Sequence, residues 1–226
     1  RAYESSLGLV GSEMCIRDSL DTYARKPISF IRGEGSFLFT EKEEKYLDWI
    51  AGIATNILGH CHPHMVKAIQ DQSKKLIHVS NAVIINEAES LAKRITDNTF
   101  ADKVFFCSSG TESIEGAIKI VRRYFHTIGK PEKNKILSMS GAFHGRTIAA
   151  LFLANNKSHT EGFGPSPEGF GQVPFGDHEA LKKAINKNTA AIICEPIQGE
   201  GGVKVVPDYC LKGLREICDE HGILLI

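Results

Sequence analysis

The sequence predicts an α/β protein with a mostly parallel sheet flanked by helices. Two continuous apolar segments, Ile136 to Ser140 and Thr189 to Cys194, have the composition of strands that are buried on both faces. Segments whose apolar residues recur at helical spacing stand before and after them. Such alternation is typical of parallel sheets covered by helices, and in those sheets ligands bind beyond the carboxyl ends of the strands.

The composition is that of a soluble globular protein of 226 residues, 42% of them hydrophobic. Lys plus Arg (27) balances Asp plus Glu (27), and the absence of a basic stripe argues against a nucleic-acid partner. No apolar run is long enough to cross a membrane. The cysteines lack paired spacing, so we expect reduced, mostly buried thiols in a cytoplasmic protein: Cys15, Cys61, Cys107, Cys194, Cys210 and Cys218.

Both ends of the chain are unusual. Residues 1–19 have neither a helical nor a strand period and lack the features of a signal peptide. They resemble translated adapter sequence, and we expect them to be a non-native segment. At the other end, Gly222 to Ile226 has the pattern of a buried strand that is still running. We therefore expect a fragment whose sheet is truncated before completion, with an exposed strand edge and poor solubility.

The first part of the chain contains a predicted hairpin and two predicted helices. The strand pattern of Ser36 to Thr40 returns after a turn as Lys45 to Ile50. In the glycine-punctuated loop from Gly52 to His64, Pro63 suits the first position of a helix. Apolar residues then recur at helical spacing in the first helix, at Met65, Ile69 and Leu76. Asn86 can cap a second helix, whose apolar residues are Ala88, Leu91, Ala92 and Ile95.

The segment from Phe105 to Glu112 organises the rest of the chain. Lys103 to Cys107 is an apolar run of strand type, and helical spacing predicts a helix from about Glu112 to about Ile128. The turn between them is small and polar, so unpaired N–H groups and the positive end of the helix dipole point the same way. Two interpretations stay open: the turn holds a phosphate, or Ser109 or Thr111 only caps the helix.

Two further helices complete the predicted alternation. Asp177 caps a short helix with apolar residues at Leu181, Ala184 and Ile185. Pro207 opens a longer helix, and Gly222 ends it before the last strand.

Two polar loops follow strands of the same predicted sheet. Gly141 to Thr147 contains an aromatic ring, an imidazole and a guanidinium, and Glu195 to Gly202 contains two carboxylates and an amide. Each loop has a purely structural alternative, since Phe143 can be core and Arg146 and Glu195 can form an ion pair. Together with the turn at Ser109, these loops make three polar loops at one edge of the sheet, so we favour a binding site over three separate structural explanations. A phosphate holder, a flat ring and a cation suit an aromatic phosphorylated cofactor with an amino-acid substrate.

Five motifs of the chain carry a resemblance to a known family. They are Gly52 to Pro63, Ser108 to Glu112, Ala142 to Thr147, Glu161 to Pro165 and Glu195 to Gly202. In order and spacing they resemble the class III aminotransferases, pyridoxal 5'-phosphate (PLP) enzymes of the aspartate-aminotransferase-like fold type I. The last two motifs are more typical of the acetylornithine and ornithine branch, so the chain is most similar to acetylornithine aminotransferases.

The resemblance implies roles for the residues of the three loops. One departure is Ser113-Ile114, where relatives commonly carry Ala-Asn, and we expect Ile114 to alter packing rather than abolish cofactor binding. The implied cofactor-binding residues are Ser109, Gly110 and Thr111 on the phosphate, Phe143 on the ring and Glu195 beside it. The implied substrate-binding residues are Arg146, which takes a carboxylate, and Glu200, a switch carboxylate that pairs with a later arginine.

The implied reaction is amino transfer from N-acetylornithine to 2-oxoglutarate in arginine biosynthesis, with ornithine or 4-aminobutyrate as alternative donors. The family's Schiff-base lysine and pyridinium aspartate fall beyond Ile226, so we assign no catalytic residue and expect the polypeptide as written to be inactive. The family's homodimers imply an interface near Gly52 to Asn56 and near Asn81. By the same resemblance, residues 20–80 belong to the small domain and its linker, and 81–226 to the large PLP-binding domain.

Two alternatives of other classes remain. One is a non-catalytic PLP-binding protein that acts as an interaction subunit. The other is a metal-binding module, which is disfavoured because three of its four residues are adjacent and no second ligand pair has zinc spacing. Its ligands would be His60, Cys61, His62 and His64.

Overall fold

The computed structural model describes residues 22–23 and 25–226, so the predicted adapter-like segment 1–19 lies outside the described residues. The chain divides into two compact units, with the boundary between Glu89 and Ser90. The assignment of residues 20–80 and 81–226 to a small and a large domain stays a prediction.

The first unit contains a three-stranded antiparallel sheet. Strands β2 (Phe37–Phe39) and β3 (Lys45–Leu47) form the predicted hairpin. Strand β1 (Arg32–Glu34) pairs with β2 and was not predicted, because it is short, polar and centred on a glycine. The Arg32 guanidinium lies 3.6 Å from the centroid of the Phe39 ring, a cation–π contact across the two strands.

Three helical segments follow this sheet. The first, α1 (Ala51–Ala54), is a single turn with positive φ angles throughout. Helix α2 (Pro63–Ser73) begins at the predicted proline, and α3 (Asn86–Asn98) begins at the residue predicted to cap it. Neither α2 nor α3 contains a buried residue.

The second unit contains a parallel sheet, as predicted. Its strand order is β5-β4-β6-β9, and each neighbouring pair is parallel. A two-stranded antiparallel ribbon, β7 and β8, follows β6. The elements are α4 (Gly110–Thr127), β4 (Lys135–Met139), α5 (Ile148–Ala154), α6 (Lys157–Thr160), β5 (Phe170–Val173), α7 (His178–Ala184), β6 (Thr189–Ile192), β7 (Ile197–Gln198), β8 (Lys204–Val205), α8 (Asp208–His221) and β9 (Leu224–Leu225).

Successive strand residues pack on opposite faces of the parallel sheet. Ile136 of β4 and Ala191 of β6 join a core cluster with helices α4 and α5, against which the partly buried Ile114 packs. Leu137 and Ile192, each the next residue along its strand, join a second cluster with helices α7 and α8. The sheet is therefore covered on both faces, as its continuous apolar strands predict.

Three local signals in the sequence are confirmed by cap geometry. The Asp177 carboxylate accepts the N–H of Ala180 at 2.8 Å at the start of α7. Gly222 ends α8 in a left-handed conformation at φ 56. Ser109, discussed below, caps α4.

Two expectations need correction. The predicted strand from Lys103 to Cys107 is wrong, since no strand is assigned there within the described residues. An apolar run becomes a strand only when its backbone pairs with another strand. The expectation of mostly buried thiols is also wrong: of the described cysteines, Cys210 and Cys218 are buried, whereas Cys61 and Cys107 are exposed. All the described cysteines are free.

Within the described part of the chain, no helix has the length and apolar character needed to span a membrane.

Candidate active site

The N-terminus of α4 carries a variant of the capping box, in which Glu112 accepts the N–H of the residue before the cap. The Ser109 Oγ accepts the N–H of Glu112 at 3.3 Å, and a Glu112 carboxylate oxygen accepts the N–H of Ser108 at 2.8 Å. The capping interpretation of Ser109 is thus confirmed, but it does not exhaust the donors of this turn. In the described structure, the N–H groups of Gly110 and Thr111 have no acceptor. Both point from the positive end of an 18-residue helix, which is an arrangement that favours an anion.

The loop after β4 lies against this helix terminus. Gly145 has φ 126, and a Cβ added there would overlap the Thr111 hydroxyl. The Thr147 hydroxyl donates to a Glu115 carboxylate oxygen of α4 at 2.5 Å and also caps helix α5. Only glycine permits the approach at residue 145, so the two loops enclose the space in front of Thr111 closely.

The loop after β6 meets the same β4 loop from its other side. A Glu195 carboxylate oxygen accepts the N–H of Phe143 at 2.7 Å, and His144 Nδ1 lies 3.4 Å from the same oxygen. The Gln198 amide donates to the carbonyl oxygen of Ser140 at 3.1 Å. The loop after β4 therefore contacts both the N-terminal end of α4 and the loop after β6.

Burial sets the protonation of the two groups at this junction. Burial lowers the pKa of His144 from its usual 6.5 to about 4, so the imidazole is neutral near pH 7. Burial also raises the pKa of the Glu195 carboxyl group; the nearby Glu200 charge raises it further, whereas the Phe143 N–H opposes the shift. A neutral His144 can donate its Nδ1–H to Glu195, and the pair then fixes the carboxylate without forming an ion pair.

The remaining predicted site residues lie on the same loops. The Phe143 ring is half-buried, and its centroid lies 6.4 Å from that of His159 in an edge-on arrangement. Arg146 and Glu200 are exposed, and Glu200 is close enough to Glu195 to influence its pKa. Contacts of these side chains with a cofactor or a substrate stay predictions.

Sequence reasoning noted the imidazole of His144 and the amide of Gln198 in the two polar loops but assigned neither a role. His144 is 4% exposed, and its Nε2 has no hydrogen-bond partner within the described structure. Gln198 is fully buried, and its Oε1 also lacks a described partner. A histidine and a glutamine inside polar, glycine-rich loops were the available signal, but their burial is a tertiary property.

The turn α1 belongs to a motif that the family resemblance singles out. Its residues have left-handed φ angles of 49, 65, 58 and 58 at Ala51, Gly52, Ile53 and Ala54. Each L-residue in this conformation costs about 1–2 kcal/mol, so other contacts must hold the turn. The Asp48 carboxylate accepts the N–H groups of Ile50 and Ala51, both at 2.9 Å, and binds His60 Nε2 at 2.7 Å. Strain of this kind is concentrated at functional sites.

The same contacts bear on the metal-binding alternative. His60 is occupied on both ring nitrogens, by Asp48 and by Asn56 at 2.8 Å. Across the described residues, no group of three His, Cys, Asp or Glu side chains is arranged to hold a metal ion.

Comparison with known proteins places these observations in a family. The family model for class III aminotransferases matches residues 21–226. The acetylornithine aminotransferase of Agrobacterium fabrum is 55% identical over 206 residues, which cover 91% of this chain and 52% of that protein. The acetylornithine aminotransferase of Methanocaldococcus jannaschii is 44% identical over 207 residues, covering 92% of this chain and 52% of that protein.

Solved structures agree with this result. The ornithine aminotransferase of Toxoplasma gondii superposes with a TM-score of 0.85 at 30% identity, covering 91% of this chain and 49% of the other. A PLP-bound amine transaminase from an uncultivated Pseudomonas species superposes with a TM-score of 0.82 at 26% identity, covering 95% and 55%. The chain spans about half the length of the curated relatives it matches.

Proposed function

The chain belongs to the class III aminotransferases, and from this membership we propose that the whole protein transfers an amino group from N-acetylornithine to 2-oxoglutarate. The products would be N-acetylglutamate 5-semialdehyde and glutamate. The observation that carries the proposal is the position of the loop after β4, which contacts both the α4 N-terminus with its unpaired amides and the loop after β6.

We propose PLP as the cofactor, because the residues at this edge fit its parts. The amides of Gly110 and Thr111 would accept the phosphate at the helix terminus, and Ser109 orients that terminus as its cap. Gly145 lets the loop after β4 approach Thr111 more closely than a residue with a Cβ would allow. When bound, PLP would supply an electron-withdrawing ring that eases loss of a proton from the substrate carbon.

Glu195 and His144 would orient the Phe143 ring. Glu195 accepts the Phe143 N–H, which fixes the backbone from which the Phe143 ring extends. His144 contacts the same carboxylate oxygen from within the protein, so Glu195 is held from two sides. We propose that this arrangement sets the angle of the Phe143 ring against the cofactor ring.

Substrate recognition would fall to the exposed side chains of the same loops. Arg146 directly follows Gly145, and its planar guanidinium can bind a carboxylate through two parallel hydrogen bonds. Glu200 would act as the switch carboxylate. N-acetylornithine is favoured as donor by the relatives at 44–55% identity, which are named for it. Ornithine is the second candidate, because the Toxoplasma structure is named for that substrate.

We also propose a homodimer, with the first unit contributing to the interface. Several large apolar side chains of this unit are exposed in the single chain, including Trp49 at 88%, Ile57 at 84% and Ile84 at 83%. Exposed apolar surface on this scale is typical of association surfaces. The segment Gly52 to Asn56 and the region around Asn81 lie among these residues in sequence.

A donor screen tests the proposed reaction. The full-length protein that contains this chain is loaded with PLP, and glutamate formation from 2-oxoglutarate is measured with N-acetylornithine, ornithine and 4-aminobutyrate. We expect kcat/KM for N-acetylornithine to exceed that for the other donors by at least about tenfold, or about 1.4 kcal/mol in transition-state stabilisation. A preference for ornithine would favour the second candidate, and no glutamate from any donor would contradict the reaction.

A further inference from the structure

A second cleft lies at the opposite, amino edge of the parallel sheet. It has a volume of about 750 Å³. Its walls come from the C-terminal half of α4, from the starts of β4 and β5, and from the turn that precedes β6. The lining residues that matter here are Arg122, Lys135, Lys187, Asn134, Asn188 and Phe170.

The walls of this cleft are held by backbone hydrogen bonds. The N–H groups of Asn134 and Lys135 both donate to the carbonyl oxygen of Asn188, at 3.0 and 2.9 Å. The turn before β6 is closed by the Asn186 N–H, which donates to the buried Thr189 hydroxyl at 2.9 Å. Lys187 therefore projects from a turn with a fixed backbone.

The charges of the cleft are unbalanced. Three cationic side chains, Arg122, Lys135 and Lys187, line it together with a single carboxylate, that of Glu168. None of the three cations has a carboxylate oxygen within 4.0 Å among the described residues. Such a concentration of unpaired cations attracts anions and raises their local concentration.

Arg122 provides a second, independent observation. One terminal nitrogen donates to the carbonyl oxygen of Glu168 at 2.9 Å, and the guanidinium lies 5.3 Å from the centroid of the Phe170 ring. Its Nε is buried and has no acceptor in the described part of the chain. Gly169, at φ 87, leaves room for the group, since a Cβ there would lie 2.9 Å from a guanidinium nitrogen. A buried donor without an acceptor calls for a partner.

A neighbouring cleft extends the positive surface along α4. It shares Arg122 and Asn134 with the first and is lined in addition by Lys119, Arg123 and His126. Lys119, Arg122, Arg123 and His126 all lie on α4, and folding brings Lys135 and Lys187 from other segments of the chain beside Arg122.

We propose that the amino-edge cleft binds a small organic anion with two or more carboxylate or phosphate groups. The guanidinium of Arg122 would bind one such group and the ammonium groups of Lys135 and Lys187 another, with the asparagine amides completing the contacts. The concave shape and the volume of the cleft favour a small molecule over an extended polymer. This site is separate from the proposed active site, because the two lie at opposite ends of α4, β4 and β6.

Calorimetric titration of the full-length, PLP-loaded protein tests the proposal. The probes are citrate, for carboxylate groups, and inorganic pyrophosphate, for phosphate groups. We expect saturable binding of one of them, and the tighter probe identifies the source of the anionic groups. Lys187→Glu should raise its Kd by about tenfold or more, because a reversed charge faces a multivalent anion.

Lys183→Glu is the matched control. Lys183 is exposed on α7, does not line the cleft, and its replacement changes the net charge equally. We expect a change in Kd of less than about twofold. Arg122→Lys, which keeps the charge but removes the planar fork, should weaken binding and provides a second variant if Lys187→Glu unfolds. Equal weakening by both Glu variants, or no saturable binding of either probe, would overturn the proposal. Tighter binding of duplex DNA than of either probe would overturn it as well.

Discussion

The two edges of the parallel sheet differ in how they could hold an anion. At the carboxyl edge the donors are backbone amides of α4, which the helix dipole supports and which Gly145 approaches closely. At the amino edge the donors are charged side chains, Arg122, Lys135 and Lys187. Most substitutions leave backbone donors in place, and anion binding there is lost only when the backbone is displaced. Side-chain donors are removed one at a time, by substitution of each charged residue. The expected effects of mutation differ accordingly.

The largest expected effect concerns the side-chain cation at the carboxyl edge. Arg146→Ala in the full-length protein should raise the KM for the amino donor by roughly 100-fold, because a charge-assisted, two-pronged hydrogen bond is lost. PLP affinity should change by less than about threefold, since the phosphate would depend on backbone amides. Steady-state kinetics and a PLP titration measure the two quantities.

Arg146→Lys is the control for charge, and we expect it to recover only part of the loss because an ammonium group cannot bind two oxygens in parallel. Kinetics unchanged from those of the native protein would remove Arg146 from the site.

The second largest expected effect concerns the close approach of Gly145 to Thr111 at the carboxyl edge of the sheet. Gly145→Ala should raise the Kd for PLP by about 30-fold, because the new Cβ overlaps Thr111 and displaces the turn that carries the free amides. A fluorescence titration of the full-length protein with PLP checks this.

Gly129→Ala is the matched control, since Gly129 also has a positive φ, 75, but no atom lies within 4 Å of the added Cβ, and it lies outside the five motifs. It should share the backbone strain and leave PLP affinity within about twofold. Equal loss in both variants would show that strain, not overlap, is responsible.

The smallest expected effect concerns the buried imidazole, a kind of group that the amino-edge cleft lacks among its described lining residues. The pKa of His144 is about 4 in the folded protein, below its usual 6.5. Between these values the unfolded chain binds a proton that the folded chain does not, so the free energy of unfolding should fall as pH decreases from 6.5 toward 4. The fall in pKa from 6.5 to about 4 corresponds to about 3 kcal/mol from His144 alone; because Glu195 opposes it, we expect a net decrease of about 1 kcal/mol, measured by denaturant unfolding across this range.

Glu195 contributes the opposite slope, because its raised pKa makes the folded state bind a proton first as pH falls. The comparison should therefore be made against His144→Asn, whose amide can still donate to Glu195. An identical pH dependence in the variant would contradict a neutral buried His144.

The fold was predictable from sequence where the signal is local. The apolar strands, the cap at Asp177 and the stop at Gly222 all depend on neighbouring residues. Strand β5 was missed because Phe170 to Val173 contains a glycine and shows no alternation, and its pairing with β4 defines it. The error at Lys103 to Cys107 is the converse, since there an apolar run has no strand partner in the described chain.

Of the two candidate sites, the sequence predicted the one at the carboxyl edge and not the one at the amino edge. The carboxyl edge could be predicted, because topology alone brings loops after parallel strands together. The burial of His144 and its contact with Glu195 could not, since they depend on packing between distant segments. The amino-edge cleft was also invisible, because Arg122, Lys135 and Lys187 come from three separate elements.

The left-handed turn α1 has a consequence for chemical synthesis. A left-handed backbone is the mirror image of the conformation that L-residues prefer, so it is the natural geometry of a D-amino acid. D-alanine at residues 51 and 54 should therefore fit this backbone with less strain than the L-residues of the native chain. In a semisynthetic protein, inverted chirality at these two positions would stabilise a turn that is strained with L-residues. In the native chain the hydrogen bonds to the Asp48 carboxylate hold this turn.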